Sequence, residues 1–147
     1  MKIYLDNCCL NRPFDDQLQD KVRLETDAIL AIINMCEINK WEFCKSDVLI
    51  YEINQIIDYD RKQKVMRIYK YGKTEIKINK SIQLRANQLL EYNIKPFDAL
   101  HLASAENGKV DIFLTTDKKL ILASYSANMK IKVMNPVIWY LEEINNE

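Results

Sequence analysis

Lys2-Ile3-Tyr4-Leu5-Asp6 is a short apolar run that stops at an acid, and Ile112-Phe113-Leu114-Thr115-Thr116-Asp117 repeats the design late in the chain. Runs this short and this apolar read as strands buried on both faces, the pattern of a parallel sheet covered by helices. Beyond the first run, residues 7–19 are polar, contain Arg12-Pro13 and Asp15-Asp16, and read as a loop. Over 21–39 the positions Val22, Ala28, Ile29, Ile32, Ile33, Met35 and Cys36 fall near helical spacing and predict a long helix. Residues 41–45 alternate as a second strand. Ser46-Asp47 then supply N-cap chemistry for a helix to about 58, and 61–71 reads as a helix ended by Gly72. Residues 74–78 form a brief strand and 81–92 a helix, after which Pro96 opens a helix to 107 that Gly108 closes. A short helix over 117–123, a last strand over 130–133 and a final helix capped by Asn135-Pro136 complete the reading. Strands alternating with helices predict an α/β fold, a three-layer α/β/α sandwich on a mainly parallel sheet of four to five strands. With no linker, repeat or low-complexity tract, residues 1–147 are expected to form one domain.

Composition narrows the function classes. The 147 residues carry 21 Lys and Arg against 21 Asp and Glu, a formal charge of zero with histidine neutral, and 48% of them are apolar. That excludes a disordered or collagen-like chain and argues against wholesale attraction to nucleic acid or an anionic membrane, so any polyanion must be met by a local patch. No apolar stretch reaches the length of a signal peptide or a bilayer span, and the expectation is a cytoplasmic protein with no membrane role. Cys8, Cys9, Cys36 and Cys44 then read as reduced thiols filling apolar space. Adjacent Cys8-Cys9 and a single histidine do not suit zinc ligation, and two glycines make a G-x-G-x-x-G loop impossible.

Four acids stand where a solvated surface does not readily place them. Asp6 ends a buried strand, where open α/β sheets gather their ligands, although a loop cap would also use an Asp. Glu52 falls inside the apolar arc of its helix, toward one edge, and needs a partner there unless it reaches the rim or a lysine. Asp98 lies in the first turn of Pro96-Phe97-Asp98-Ala99-Leu100-His101-Leu102-Ala103, a helix apolar on nearly every side, where it could also merely compensate the helix dipole. Asp117 follows a buried strand and two threonines, a position that also suits an ordinary N-cap. Together they say more, because the carboxyl ends of parallel strands lie on one edge of the sheet and can bring all four acids to one cleft. Uncompensated, such charges repel; a divalent cation would neutralise them. Oxygen ligands alone point to Mg²⁺ or Mn²⁺, and such ions serve phosphodiester hydrolysis by activating the attacking water and stabilising the leaving oxygen.

Around these acids, Arg12, Lys118 and Lys119 are candidates for phosphate contacts, and Thr115 and Asn7 for hydrogen bonds to water at the metal site. His101, just under one turn after Asp98, is expected to be a satisfied structural histidine, since a metal would take over the activation of water. Trp41, Tyr51 and Tyr59 are expected in the core or at its rim.

Read in order, these segments resemble the PIN-domain nucleases, and among them the VapC-like toxins of bacterial toxin-antitoxin pairs. Ile3-Tyr4-Leu5-Asp6 is similar to the family's first strand and first acid, and Ser46 to Glu52 to its Ser followed six residues later by Glu. Phe97-Asp98-Ala99-Leu100-His101-Leu102-Ala103 is similar to its third acidic segment, and Thr115-Thr116-Asp117 to its T-x-D. The resemblance implies a ribonuclease dependent on Mg²⁺ or Mn²⁺, with Asp6, Glu52, Asp98 and Asp117 as metal ligands and catalytic residues. It also implies an RNA substrate, frequent homodimers and an antitoxin whose peptide occupies the cleft. One departure is Asn7-Cys8, where many relatives carry a hydroxyl residue beside the first acid; Asn11-Arg12-Pro13-Phe14 looks like a subgroup feature. The rival readings are a non-catalytic PIN-like interaction module and a DNA-directed metal nuclease of the same fold.

Overall fold

β1 (Lys2–Leu5) runs through the middle of a five-stranded sheet. The computed structural model describes residues 1–147. After β1 come α1 (Asn7–Asn11), α2 (Asp20–Glu37), β2 (Glu42–Ser46), α3 (Asp47–Asn54), α4 (Tyr59–Tyr69), β3 (Thr74–Ile76), α5 (Lys80–Leu89) and α6 (Pro96–Asn107). β4 (Ile112–Leu114), α7 (Lys118–Ser126), β5 (Lys132–Met134) and α8 (Pro136–Asn145) follow. The strand order is β3-β2-β1-β4-β5, and every pairing is parallel, with Leu5 opposite Leu114 and Ile3 opposite both Phe43 and Ile112. The sheet is therefore the parallel, five-stranded form of the expected architecture.

Strand alternation divides the core between two faces. Ile3, Leu5, Ile112 and Leu114 pack with Ile29 and Ile32 of α2, Leu49 and Ile53 of α3, Val65 of α4 and Trp139 of α8. Tyr4 and Phe113 point the other way, into Ile82 and Leu89 of α5, Leu102 and Ala105 of α6 and Leu120 of α7. Helices thus cover both faces, giving the three-layer sandwich. Burying a Leu or Phe side chain fully contributes roughly 1.5–3 kcal/mol, against about 1 kcal/mol net for a hydrogen bond. With β3, β4 and β5 only three residues long, the two apolar faces hold the layers together more than the ladders do.

Three local features differ from expectation. The segment read as a loop over 7–19 begins with a helical turn, α1, and a 3-10 turn over Arg12–Phe14. Asp6 starts α1 by accepting the Asn7 N–H, and Cys9 and Leu10 bury its inner face; five residues are too few to show a helical period. The helix expected to reach 58 stops at Asn54, because Asp58 turns its carboxylate onto the Arg61 N–H and caps α4 instead. Gly108 does close α6, but with φ of −75° it is not in a left-handed turn; Lys109, at φ 55°, takes that conformation. Glycine stands at 108 for space, since a Cβ would lie 2.5 Å from Ile76 Cδ1.

The four cysteines are free thiols, and burial pushes Cys36 and Cys44 up to about 11 and Cys9 well above its usual range. No helix is long and apolar enough to cross a membrane.

Candidate functional site

The strand order reverses at β1: the chain winds outward through β2 and β3, then returns to the far side of β1 as β4 and β5. Ligand sites of open α/β sheets lie outside the strand carboxyl ends at such a reversal. Asp6 leaves the carboxyl end of β1, and Asp117 follows β4 by three residues. α3 brings Glu52 and the first turn of α6 brings Asp98 to the same edge. All four acids line one cleft of about 410 Å³, together with Asn7, Cys8, Asn11, Arg12, Asp15 and Ile56. A larger hollow of about 500 Å³ beside α5 and α6 carries none of them, and its Arg85 and Glu106 neutralise each other at 2.7 Å.

Each carboxylate is held differently. Asp6 is 5% exposed; its Oδ1 accepts the Asn7 N–H at 2.8 Å and its Oδ2 the Thr115 hydroxyl at 2.8 Å. Thr115 Oγ1 in turn accepts the Asp117 N–H at 3.1 Å, so one buried hydroxyl ties the first acid to the fourth. Asp117 Oδ1 caps α7 through the N–H groups of Lys119 and Leu120, while its Oδ2 makes no hydrogen bond. At 117 the N-cap role is filled by Oδ1, and the same side chain also lines the cleft. Asp98 has neither a hydrogen-bond partner nor an ion pair, and burial followed by the charge of Asp6 pushes its carboxyl up to about 6, Asp117 and Glu52 adding and His101 opposing. Glu52 meets His101: its Oε1 contacts the ring Nε2, which also lies 3.9 Å from Asp6 Oδ1.

His101 is satisfied at both ring nitrogens, but the second of its partners is a cleft acid. One ligand atom each from Asp6, Glu52 and His101 lies within 4.8 Å of the others. Nδ1 hydrogen-bonds the Tyr4 hydroxyl at 2.6 Å, which contacts Ser46 Oγ at 2.6 Å. The polar role of Tyr4 is missing from a reading of Ile3-Tyr4-Leu5 as plain core; the available signal is that a Tyr in a strand buried on both faces must find a partner for its hydroxyl.

Asn7 and Arg12 line the cleft, but the Arg12 guanidinium is committed to Glu25 at 3.0 Å and Asp15 at 3.2 Å. Lys118 and Lys119 are exposed on the first turn of α7, form no ion pair, and lie just outside the lining residues. Sequence reasoning also missed the wall built by residues 11–15. The side-chain amide of Gln17 donates to the carbonyls of Arg12, Pro13 and Asp15, and Arg61 of α4 binds Asp15 at 2.9 Å and the Phe14 carbonyl. Trp41 packs on Trp139 in the core, whereas Tyr51 and Phe97 stack on each other in partly exposed positions and Tyr59 is exposed.

The donor set fits a hard divalent cation. None of the four acids is paired with a Lys or Arg, His101 is the basic group in reach, and the Asp98 carboxyl is raised first by burial and then by the charges of Asp6, Asp117 and Glu52. Burial alone would depress His101, but its hydrogen bond to Glu52 and the charges of Asp6, Glu52 and Asp98 raise it overall. Asp98 and His101 therefore both hold protons more tightly in the folded chain than in the unfolded one, so stability falls as pH rises. The window runs from 3.8 to about 6 for Asp98 and upward from 6.5 for His101. In EDTA, thermal unfolding is expected at a higher temperature at about pH 5 than at about pH 8. A melting temperature that increases across this interval would contradict the repulsive cluster.

A search of curated proteins by sequence returned no match. Among solved structures, the chain is similar to VapBC2 from Rickettsia felis, solved with a DNA fragment from its promoter, with a TM-score of 0.62 at 13% identity over 92% of this chain and 98% of that one. DNA-bound VapBC from Salmonella typhimurium gives 0.60 at 12% identity over 92% and 98%. PAE2754 from Pyrobaculum aerophilum gives 0.58 at 12% over 100% and 91%. These likenesses support the fold. The PIN-domain family model matches residues 3–124, most of the chain and all four cleft acids, and the protein belongs to the PIN-domain family.

Proposed function

We propose that the protein is a metal-dependent endoribonuclease, a VapC-like toxin of a toxin-antitoxin pair that acts in the cytoplasm. The observation that carries this reading is the convergence of Asp6, Glu52, Asp98 and Asp117, from four different elements, on one cleft with no Lys or Arg paired to any of them. These four side chains would hold Mg²⁺ or Mn²⁺. When bound, such an ion supplies an activated water and stabilises the leaving oxygen of a phosphodiester.

The chain's own residues prepare this chemistry. Thr115, the Cys8 thiol and the Asn7 N–H fix the Asp6 carboxylate by donating to its oxygens, and Thr115 also sets the start of α7. Asp98 and Asp117 Oδ2 offer oxygens without protein partners. Four carboxylates repel a polyanion, so RNA gains access only as their charge is neutralised. Lys118 and Lys119, beside Asp117 and in no ion pair, would receive the flanking phosphates. Arg12, held by Glu25 and Asp15, presents a charge already offset and serves first as part of the cleft wall.

The antitoxin partner is supported by the likeness to two VapBC structures; a homodimer rests on the sequence resemblance alone. Calorimetry with Mn²⁺ separates the nuclease from a non-catalytic interaction module: heat of binding is expected for the unaltered chain and its absence would favour the module. Parallel digestion of labelled RNA and single-stranded DNA, with RNA cut in preference, tests the substrate; preferential DNA cleavage would overturn the ribonuclease reading.

A further inference from the structure

The contact between His101 and Glu52 belongs to a closed hydrogen-bonded circuit. Ser46 Oγ accepts the Leu49 N–H at 3.0 Å and so caps α3, the helix that carries Glu52 in its second turn. The same oxygen meets the Tyr4 hydroxyl at 2.6 Å, Tyr4 meets His101 Nδ1 at 2.6 Å, and His101 Nε2 meets Glu52. Beginning and ending on α3, the circuit crosses β1 and α6. Ser46, Tyr4 and His101 are fully buried, so water does not compete for the bonds among them, while Glu52 is partly exposed where it faces the cleft. Both ring nitrogens of His101 are engaged, one toward the core and one toward the cleft, and the ring has no rotation that keeps both partners.

We infer that His101 is a positioning residue that orients the Glu52 carboxylate for metal binding, and that Tyr4 and Ser46 fix the His101 ring for that task. The inference rests on the metal reading of the cleft. Groups that orient a metal-binding carboxylate or imidazole typically cost 10–100-fold in metal affinity when removed. Tyr4 can lose its hydroxyl while keeping its place, because its ring stacks on Phe113 at 5.1 Å and an interplanar angle of 11°.

The test uses the full chain and Mn²⁺ alone, read by calorimetry, with Tyr4→Phe, His101→Leu and His101→Gln compared with the unaltered protein. Tyr4→Phe and His101→Leu are expected to weaken Mn²⁺ binding by about 10–100-fold. His101→Gln, whose amide can still donate to Glu52, is expected to recover most of the loss, a rescue that a packing role would not give. Since His101 is the chain's single histidine, its imidazole ¹⁵N signals are unambiguous, and Mg²⁺ is expected to shift the Nε2 signal with the midpoint of binding. Unchanged Mn²⁺ affinity in Tyr4→Phe and His101→Leu overturns the positioning role while leaving the metal site standing. No Mn²⁺ binding by the unaltered chain overturns the metal reading and this inference with it.

Discussion

Asp98→Asn is expected to abolish metal-dependent RNA cleavage while making the metal-free chain more stable. The two effects have one cause. Asp98 is partly buried, has no hydrogen-bond partner, and is pushed up to about 6 by burial and by the charge of Asp6, so the ionised form is a burden on the fold at neutral pH. An amide of the same shape removes that burden, and it also removes an anionic ligand. Losing about 4 kcal/mol of transition-state stabilisation corresponds to roughly a thousandfold in rate. Asp6→Asn is expected to lose activity similarly, with α1 retained, since Asn caps helices about as well as Asp. Cleavage of labelled RNA together with thermal unfolding in EDTA checks both halves. A variant that cuts at the normal rate, or that melts at a lower temperature than the unaltered chain, contradicts the account of Asp98.

Glu25→Ala is expected to lower stability by about 3 kcal/mol, the low end of what breaking a buried ion pair costs. Glu25 is 1% exposed on α2; it meets the Arg12 guanidinium at 3.0 Å, and its Oε2 accepts the Asn135 amide at 2.7 Å, at the N-cap of α8. Removal leaves Arg12 with Asp15 alone, although its Nε is already buried without a partner, and loosens the turn at Arg12–Phe14 that walls the cleft. Urea unfolding with an unchanged slope and a lower midpoint is the expected signature. Glu25→Gln, which keeps the side chain's volume and its acceptor for Asn135, should lose less. A Glu25→Ala change within about 0.5 kcal/mol would mark the pair as energetically idle.

The parallel sheet was legible because its central strands are unbroken apolar runs: Ile3-Tyr4-Leu5 and Ile112-Phe113-Leu114 admit few other readings. The acids that follow them were legible for the same reason, since a charge at the end of a buried strand has to go somewhere. Contacts between side chains distant in sequence were less accessible. Nothing in a periodicity argument links Tyr4 to His101, or Glu25 to Arg12 and Asn135, because those pairings depend on how helices lie across the two faces of the sheet. Asp58 shows the local limit: the helix read from Ser46-Asp47 to about 58 ends at Asn54, and Asp58 caps the helix that follows it.

If these four acids run a metal-dependent cleavage of RNA, removing and restoring the metal must switch the cleavage off and on. Labelled single-stranded RNA is incubated with the unaltered chain in Mn²⁺, then in excess EDTA, then with Mn²⁺ restored, and the cut fragments are followed through the three stages. Cleavage that starts, stops and resumes is the predicted result. Cleavage that persists in EDTA, or none in the presence of Mn²⁺, would contradict it.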